Sequence, residues 1–316
     1  MYKVSLAPMA GMADRAYRLI CKSHGAEYLT TEMISAKAVC YGDKKTFEIA
    51  EMDQSEMPEA IQIFGSEPEF MGKGAYLLLE HASKNGITPS AIDINMGCPV
   101  PKITRNGEGS SLMKNPGLAG RIIDETIKNT SGIPVTVKMR LGWDSTSINV
   151  VEFAKMAEAH GASSICIHAR TKEQMYSPSA DWSWIAKVKQ QVSIPVVGNG
   201  DIFDGNDAIN MFKQTNCDAV AVARGALGNP WIFEDIRDRL EGKTPKNITK
   251  STRINEAIRY LRLAVELKGE EKGVIESRKI LGFFVKGLYG SPRVRNLINL
   301  TSNEKDMTEL LLSMED

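Results

Sequence analysis

The strongest constraint on the fold is a series of eight short apolar segments, each followed by a stretch in which apolar residues recur at helical spacing. Short strands that alternate with helices are typical of parallel sheets, and eight such units make up a (β/α)8, or TIM, barrel. The predicted strands are Val4 to Leu6, Tyr28 to Thr31, Ile61 to Phe64, Ile92 to Asn95, Val135 to Met139, Ser164 to His168, Val196 to Asn199 and Ala219 to Ala223. The sequence therefore predicts an α/β protein built on a TIM barrel.

The strand pattern ends after Trp231, and only helical patterns follow it. The predicted helices are Phe233 to Leu240, Arg253 to Lys268, Gly273 to Leu288 and Asn303 to Met314. A segment rich in glycine, proline and asparagine separates the first of these helices from the others. We therefore expect a barrel domain at residues 1–240 and a small all-helical C-terminal domain at residues 241–316.

The charge of the chain is unevenly distributed, although its formal net charge is zero. Residues 243–300 contain thirteen basic and five acidic side chains, a net charge of +8, so the rest of the chain carries −8. A basic block of this kind is typical of a surface that binds a polyanion such as a nucleic acid. A solvated helical face would give the same pattern, and the charge count alone does not separate the two.

The five cysteines are odd in number and widely spaced, with no CxxC pair and no His/Cys cluster at metal-ligand spacing. This pattern favours a reducing, cytoplasmic location and predicts no metal site. The chain has no secretory signal and no apolar run of the roughly 18 residues that a membrane span needs. We expect a cytoplasmic protein, not bound to membranes, that acts as a monomer.

The end of the fourth predicted strand provides the first candidate for catalysis. It runs through Asn95 into a turn that holds Cys98 beside glycine and proline. The active sites of TIM barrels lie at the carboxyl ends of the strands, and a proline stiffens the turn that presents the thiol. Cys98 is therefore the predicted catalytic residue.

Other strand ends also hold residues suited to ligand binding. The first strand leads into Pro8, Met9 and Ala10, a small and backbone-rich stretch that a flat ligand could approach closely. Lys138 lies in an apolar strand, where an ammonium group is costly unless it meets an anion or a polarised carbonyl. His168 ends the sixth strand and could contact either a ligand or the core.

Glycine-rich turns follow the seventh and eighth strands, at Asn199, Gly200 and Asp201 and at Ala223 and Arg224. In this architecture such turns bind phosphate, because free backbone N–H groups and helix dipoles converge there. FMN and a sugar phosphate both satisfy this pattern. The amides of Gln62 and Asn95, together with Lys138, favour a flavin, because its ring edge presents matching donors and acceptors.

Taken together, these segments resemble the tRNA-dihydrouridine synthases, and within them the bacterial B-type branch. The resemblance covers essentially the whole chain, and eight motifs in order at barrel spacing are highly specific. The matching segments are Ala7 to Asp14, Thr31 to Met33, Gln62 to Gly65, Asp93 to Pro99, Val137 to Trp143, His168 to Thr171, Asn199 to Ile202 and Ala223 to Gly225.

The resemblance implies specific roles for these residues. The flavin ring of FMN would lie against Pro8, Met9, Ala10 and Gln62 and contact Lys138 and His168; its phosphate would be held by Asn199, Gly200, Asp201, Ala223 and Arg224. Asn95 would face the target uracil, and Lys102 and Arg105 would contact tRNA. The basic helical C-terminal domain would also grip tRNA.

The resemblance also implies a reaction. Specific uridines of the tRNA D-loop would be reduced at the C5–C6 double bond to dihydrouridine, with NADPH as the reductant. Hydride would pass from reduced flavin to C6, and Cys98 would protonate C5. The alternative enzyme is an FMN-dependent reductase of a free pyrimidine. The basic block argues against it, because a free base does not need a basic helical region for binding. A flavin-free sugar-phosphate isomerase and a catalytically inactive RNA-binding protein are more distant alternatives.

Overall fold

The computed structural model describes residues 2–314 and contains the expected barrel. Nine parallel-paired strands form one sheet, in the order β1-β9-β8-β7-β6-β5-β4-β2, and β3 extends the β2 position by pairing with β4. The strands are β1 Val4–Leu6, β2 Leu29–Thr30, β3 Ile34–Ser35, β4 Glu59–Phe64, β5 Ala91–Met96, β6 Val135–Met139, β7 Ser164–His168, β8 Val196–Asn199 and β9 Ala219–Val222. A parallel bridge between Ser5 and Tyr28 joins the two ends of the sheet. The predicted TIM barrel is confirmed.

Helices surround the barrel and continue beyond it. The α-helices are α1 Arg15–Ser23, α2 Ala36–Cys40, α3 Lys44–Ile49, α4 Pro68–Lys84, α5 Pro101–Thr104, α6 Pro116–Lys128, α7 Val150–Ala159, α8 Ser183–Lys189, α9 Gly205–Thr215, α10 Ile232–Leu240, α11 Lys250–Lys268, α12 Glu270–Phe284, α13 Ser291–Leu300 and α14 Glu304–Leu312. The helix α13 is absent from the sequence prediction, because Gly290 and Pro292 are typical helix breakers. Instead, Gly290 takes the left-handed conformation as the N-cap and Pro292 lies in the first turn, where its missing N–H costs nothing.

The two faces of the sheet differ, as the alternating pattern of the strands predicts: one packs against the helices and the other faces the barrel interior. The side chains of Ile61, Ile63, Ile92 and Ile94 on β4 and β5 are completely buried between the sheet and the helices. The intervening positions of these strands point into the barrel, and three of them, Gln62, Asp93 and Asn95, carry polar groups. The alternation thus reserves the barrel interior for chemistry, and the apolar face of each strand for packing.

The helices α11 to α14 pack on the barrel through an aromatic cluster. The ring of Tyr17 on α1 meets Tyr260 of α11 edge-on at 5.7 Å, and Phe284 of α12 lies 6.4 Å from both rings. The Tyr17 hydroxyl donates to the carbonyl of Ala226 and accepts from the N–H of Gly228 at 3.0 Å. These contacts place α12 beside the loops that follow β1 and β9.

Two further properties bear on the classes of function considered. Among residues 2–314, no helix combines the length and apolarity required to cross a membrane. The same residues contain no group of three or more His, Cys, Asp or Glu side chains arranged to hold a metal ion.

Candidate active site

The carboxyl ends of the strands surround a cavity of about 430 Å³. Its volume lies in the range of ordinary ligand and cofactor sites. The predicted site residues that line it are Pro8, Met9, Ala10, Gln62, Asn95, Cys98, Lys138, His168, Asn199, Gly200, Asp201, Ala223 and Arg224. The structure therefore brings together residues from seven strand ends that lie up to about two hundred positions apart in the sequence. Lys102 and Arg105 do not line the cavity; both are exposed on and just after α5, next to the Cys98 turn.

Cys98 lies half-buried in a turn that is held from both sides. The side-chain oxygen of Asn95 accepts hydrogen bonds from the backbone N–H of Gly97 at 3.1 Å and of Cys98 at 2.9 Å. On the other side, the N–H and hydroxyl of Ser110 donate to the Cys98 carbonyl at 3.1 and 2.9 Å. Gly109 is required for this approach, because it has a φ of +58° and a Cβ there would lie 2.8 Å from the Cys98 carbonyl oxygen.

Burial raises the pKa of the Cys98 thiol above its ordinary value. The N–H of Val100 and the positive charges of Arg140 and Lys138 oppose this rise but do not cancel it. Cys98 is therefore a neutral thiol at physiological pH. Such a group is suited to donate a proton and not to attack as a thiolate.

Strand register explains how polar groups meet inside the barrel. Gln62, Asp93 and Thr136 are direct neighbours across β4, β5 and β6, and Asn95 and Lys138 are neighbours one pleat nearer the cavity. The ammonium of Lys138 lies 3.3 Å from the side-chain oxygen of Asn199, whose side-chain nitrogen in turn donates to the Ala221 carbonyl at 2.7 Å. A layer of amides with one ammonium thus forms the floor of the cavity.

His168 lies in a strongly cationic environment. Burial is the main factor that lowers its pKa well below the usual value, and the charges of Arg140, Lys138, Arg170 and Arg224 lower it further. The imidazole is therefore neutral at pH 7 and offers one donor and one acceptor. Gly200 lies against this ring and has a φ of +118°, and a Cβ at this position would lie 3.1 Å from His168 Cδ2. Both observations favour glycine here.

The carboxylate of Asp201 forms ion pairs with two arginines. Its carboxylate accepts from Arg170 at 2.5 Å, from the N–H of Ala180 at 2.8 Å and from Arg224 at 3.1 Å. Burial alone would raise the pKa of Asp201, but these hydrogen bonds hold it below its ordinary value. The loops after β8 and β9 also touch at Gly225, where a Cβ would lie only 2.0 Å from the Ile202 carbonyl oxygen. The two loops thus form one rigid cradle with Arg224 at its edge.

Arg140 is a functional candidate that the sequence analysis did not single out. It is buried, and its guanidinium donates to the carbonyls of Gly97 at 2.9 Å, Thr171 at 2.8 Å and Met175 at 2.9 Å. Burial lowers its pKa to about 10. Arg140 therefore joins the Cys98 turn to the loop after β7. Its place directly after the predicted strand Val135 to Met139 was the available signal, but its carbonyl partners lie in distant loops.

The aromatic rim of the cavity was also missed. Tyr176 and Phe203 line the cavity and are about half exposed, at 51% and 50%. The Arg224 guanidinium lies 4.7 Å from the ring centre of Tyr176 and 5.5 Å from that of Phe203. Neither ring lies on a strand end, so the strand pattern did not identify them.

The structure separates the basic residues of the helical region into two groups. Several are engaged within the protein: Arg259 pairs with Glu256, Lys268 with Asp14 and Glu276, and Arg278 donates to the Thr301 carbonyl. Lys279 lies beside Gly11 at the mouth of the cavity, and Phe283, one helical turn further on, lines it. The cations that can face a ligand at the mouth are thus fewer than the charge count indicates.

Comparison with known proteins gives the family. The family model described as Dihydrouridine synthase (Dus) matches residues 5–315. A "Probable tRNA-dihydrouridine synthase 1" of Synechocystis sp. is 36% identical over 98% of this chain and 86% of its own length. "tRNA-dihydrouridine synthase B" of Pasteurella multocida is 34% identical over 99% of this chain and 92% of its own length.

Solved structures give the same architecture at low sequence identity. A histamine dehydrogenase from Rhizobium sp. 4-9 aligns with a TM-score of 0.58 and 14% identity over 83% of this chain and 49% of its own. An old yellow enzyme homologue from Zymomonas mobilis aligns with a TM-score of 0.52 and 12% identity over 80% of this chain and 91% of its own. These likenesses concern the fold alone. The match over nearly the whole chain, together with relatives above one-third identity, shows that the protein belongs to the dihydrouridine synthase family.

Proposed function

We propose that this protein is an FMN-dependent tRNA-dihydrouridine synthase, which reduces specific D-loop uridines of tRNA with NADPH as reductant and Cys98 as proton donor. The single observation that carries the proposal is the neutral Cys98 thiol, held by Asn95 and Ser110 at the edge of a cavity lined by the predicted cofactor residues. Membership of the family and the names of the relatives support the same reaction.

The cavity has the properties that FMN requires. One wall is the small, flat stretch Pro8, Met9 and Ala10, against which an aromatic ring can lie. The cradle at Gly200 and Arg224 follows the neighbouring strands β8 and β9, and there backbone N–H groups and a guanidinium suit a phosphate. Gln62, Lys138 and His168 would hold the ring edge, and Asn199 and Ala223 would complete the phosphate end. Bound FMN would supply the hydride that adds to C6 of uracil.

The side chains around this group have separate tasks in the proposed reaction. Cys98 gives its Sγ proton to C5, and burial keeps that proton in place until it is needed. Asn95 faces the uracil and also holds the Cys98 turn, so the base and the donor are positioned by one side chain. Asp201 would contribute to the phosphate end by orienting Arg170 and Arg224, which pair with its carboxylate.

The substrate would reach this site by extrusion of the uridine from the tRNA fold. We propose residues 1–240 as the catalytic domain and residues 241–316 as a domain that grips tRNA. Lys102 and Arg105, which are exposed next to the Cys98 turn, would add to this contact. We further propose that the protein is cytoplasmic and acts as a monomer.

The experiment is to incubate the purified protein with NADPH and tRNA that lacks dihydrouridine, and to map by mass spectrometry the nucleotides that gain two hydrogens. A gain at D-loop uridines is expected in the wild type, with a loss of about 10²-fold or more in Cys98→Ala. Cys40→Ala is the matched control, because Cys40 lies on α2 and does not line the cavity. If the protein oxidises NADPH when free pyrimidines are supplied, and no tRNA nucleotide gains two hydrogens, the protein is instead a small-molecule reductase.

A further inference from the structure

Asp93 is a buried carboxylate at the base of the active site for which the proposed reaction has no direct use. It lies at the centre of β5 with 6% of its surface exposed, and Cys98 follows on the same strand and turn. Taking a carboxylate out of water costs free energy, so packing alone does not favour an aspartate here. Its hydrogen bonds lead directly to the catalytic turn.

The contacts form a continuous chain from Asp93 to Cys98. The Thr136 hydroxyl donates to one oxygen of Asp93 at 2.6 Å, and the Gln62 amide nitrogen donates to the other at 2.7 Å. The Asn95 amide nitrogen then donates to the Gln62 oxygen at 2.8 Å. Finally, the Asn95 oxygen accepts from the N–H groups of Gly97 and Cys98 at 3.1 and 2.9 Å.

The direction of this chain follows from the chemistry of its first member. Burial raises the pKa of Asp93, and the hydrogen bonds from Gln62 and Thr136 and the charge of Lys138 oppose this rise. Because the Asp93 carboxylate accepts from both neighbours, Gln62 turns its NH2 group toward Asp93 and its oxygen toward Asn95. Asn95 must then present its NH2 group to Gln62, which leaves its oxygen for the backbone of Cys98. An amide can be flipped at almost no steric cost, so without a fixed first member both amides could reverse together. In the reversed state, the Asn95 NH2 group would face the N–H of Cys98, and the turn would lose its support.

We propose that Asp93 is a positioning residue: its carboxylate fixes the orientation of Gln62 and Asn95 and, through Asn95, the turn that presents Cys98. In the same orientation, the Asn95 amide nitrogen also donates to Sδ of Met33 at 3.6 Å. The inference rests on the proposed function for its importance in catalysis. The hydrogen-bond chain itself belongs to the protein whatever its substrate.

The test compares three variants of the full chain as purified. Asp93→Leu removes the acceptor, Asp93→Asn keeps the shape and one acceptor, and Thr136→Val removes the other donor to the same carboxylate without touching the amide chain. Two readouts are needed: hydrogen exchange of the Gly97 and Cys98 amides, and the rate of iodoacetamide alkylation of Cys98, followed by the mass of its peptide. Neither readout depends on dihydrouridine formation.

Asp93→Leu is expected to speed both the exchange and the alkylation by about tenfold, the effect of losing roughly one hydrogen bond. Asp93→Asn should give a smaller increase, because its amide can face Gln62 with either end. Thr136→Val should match the wild type to within about twofold. Wild-type exchange and alkylation in a folded Asp93→Leu protein would overturn the proposal. If that variant does not fold, unchanged readouts in Asp93→Asn would overturn it in the same way.

An activity measurement then separates this proposal from the assigned reaction. If Asp93 positions the donor, kcat for tRNA reduction should fall by about 10- to 100-fold in Asp93→Leu while KM for tRNA stays nearly constant, because a small displacement of a catalytic group is costly. If the wild type itself does not reduce tRNA, the proposed function fails. The exchange and alkylation data still decide whether Asp93 holds the Cys98 turn.

Discussion

At the scale of single residues, the site is defined by side chains that are kept neutral in a cationic cavity. Burial keeps the Cys98 thiol protonated, and burial together with four cations keeps His168 uncharged. Asp201 offsets the two arginines beside it. The net positive charge that remains suits anionic ligands such as a phosphate, while the proton needed for C5 stays on sulfur.

The state of Cys98 leads to a prediction about pH. Its folded pKa is raised, so the thiol persists through neutral pH and is lost only above the ordinary cysteine value of about 8.5. The rate at which tRNA reoxidises the reduced protein in a single turnover should therefore be flat near neutrality and fall only in the alkaline range. Stopped-flow absorbance across about pH 6 to 10 measures this.

The control for this pH profile is Cys40→Ala, which should leave the alkaline decline in place. A rate that instead increases through neutral pH would show that the thiolate is the active form and would contradict the assignment of Cys98 as an acid.

At the scale of secondary-structure elements, α1 is fixed to the barrel by a buried ionic cluster. The guanidinium of Arg18 lies 3.0 Å from Glu56 and 2.5 Å from Glu59, and neither carboxylate is exposed. Burial raises the pKa of Glu59 to about 8, with Glu56 adding to the rise and Arg18 opposing it. Burying the carboxyl groups of Glu56 and Glu59 costs free energy, and the fully buried guanidinium of Arg18 offsets part of that cost.

Removal of the Arg18 cation should therefore strongly reduce the stability of the fold. Arg18→Met should lower the free energy of unfolding by about 3–5 kcal/mol, because it leaves Glu59 buried without a cation, while Glu56 keeps its pairing with Arg15 at 3.0 Å. Denaturation in urea, followed by circular dichroism, measures the difference.

The matched control is Lys22→Met on the same helix. Among residues 2–314, the ammonium of Lys22 donates only to the Glu27 carbonyl, at 3.3 Å, so this change should cost less than about 1 kcal/mol. Equal decreases in stability for the two variants would show that the cluster contributes no more than a surface interaction.

At the scale of the whole molecule, the barrel and the helices α11 to α14 meet around the mouth of the cavity. Lys279 and Phe283 lie on α12, and Lys286 follows in the turn after this helix. The side chain of Arg295 on α13 lies 3.7 Å from the position of a Cβ on Gly282. Lys279, Lys286 and Arg295 are exposed. Arg259 and Arg278 are engaged elsewhere, so they are weaker candidates for binding RNA than their charge indicates.

Reversal of these three charges tests the proposed tRNA-binding face. The triple variant Lys279→Glu, Lys286→Glu, Arg295→Glu should weaken tRNA binding and make its dependence on salt shallower. The logarithmic slope should change by about one unit for each phosphate that the variant no longer neutralises. Filter binding at several salt concentrations gives both the affinity and the slope.

The matched triple variant is Lys84→Glu, Lys128→Glu, Lys213→Glu. These lysines lie in the last turns of α4, α6 and α9, which end on the opposite face of the barrel. An equal decrease in affinity in this control would indicate a general effect of charge, and the assignment of the mouth face would then be wrong.

The sequence alone was sufficient for the barrel and for the residues that surround its mouth. Strand period and strand order are local properties, and a parallel barrel necessarily brings all strand ends to one edge. The strands β1, β6, β7 and β8 have the predicted bounds, and the other four predicted strands differ by one or two residues at one or both ends. For this reason the sequence pattern sufficed to place Cys98, Gln62, Lys138 and Asn199 at one site.

Only the tertiary structure decided which of these groups contact one another and which are already engaged. The chain from Asp93 to Cys98 needs the register of β4 against β5. The carbonyl partners of Arg140 and the two arginines on Asp201 lie in different loops, more than twenty residues away in most cases. A side chain's type and period follow from the sequence around it, but its partners depend on how distant loops close. The closed barrel therefore determined the protonation of Cys98 and the orientation of its turn.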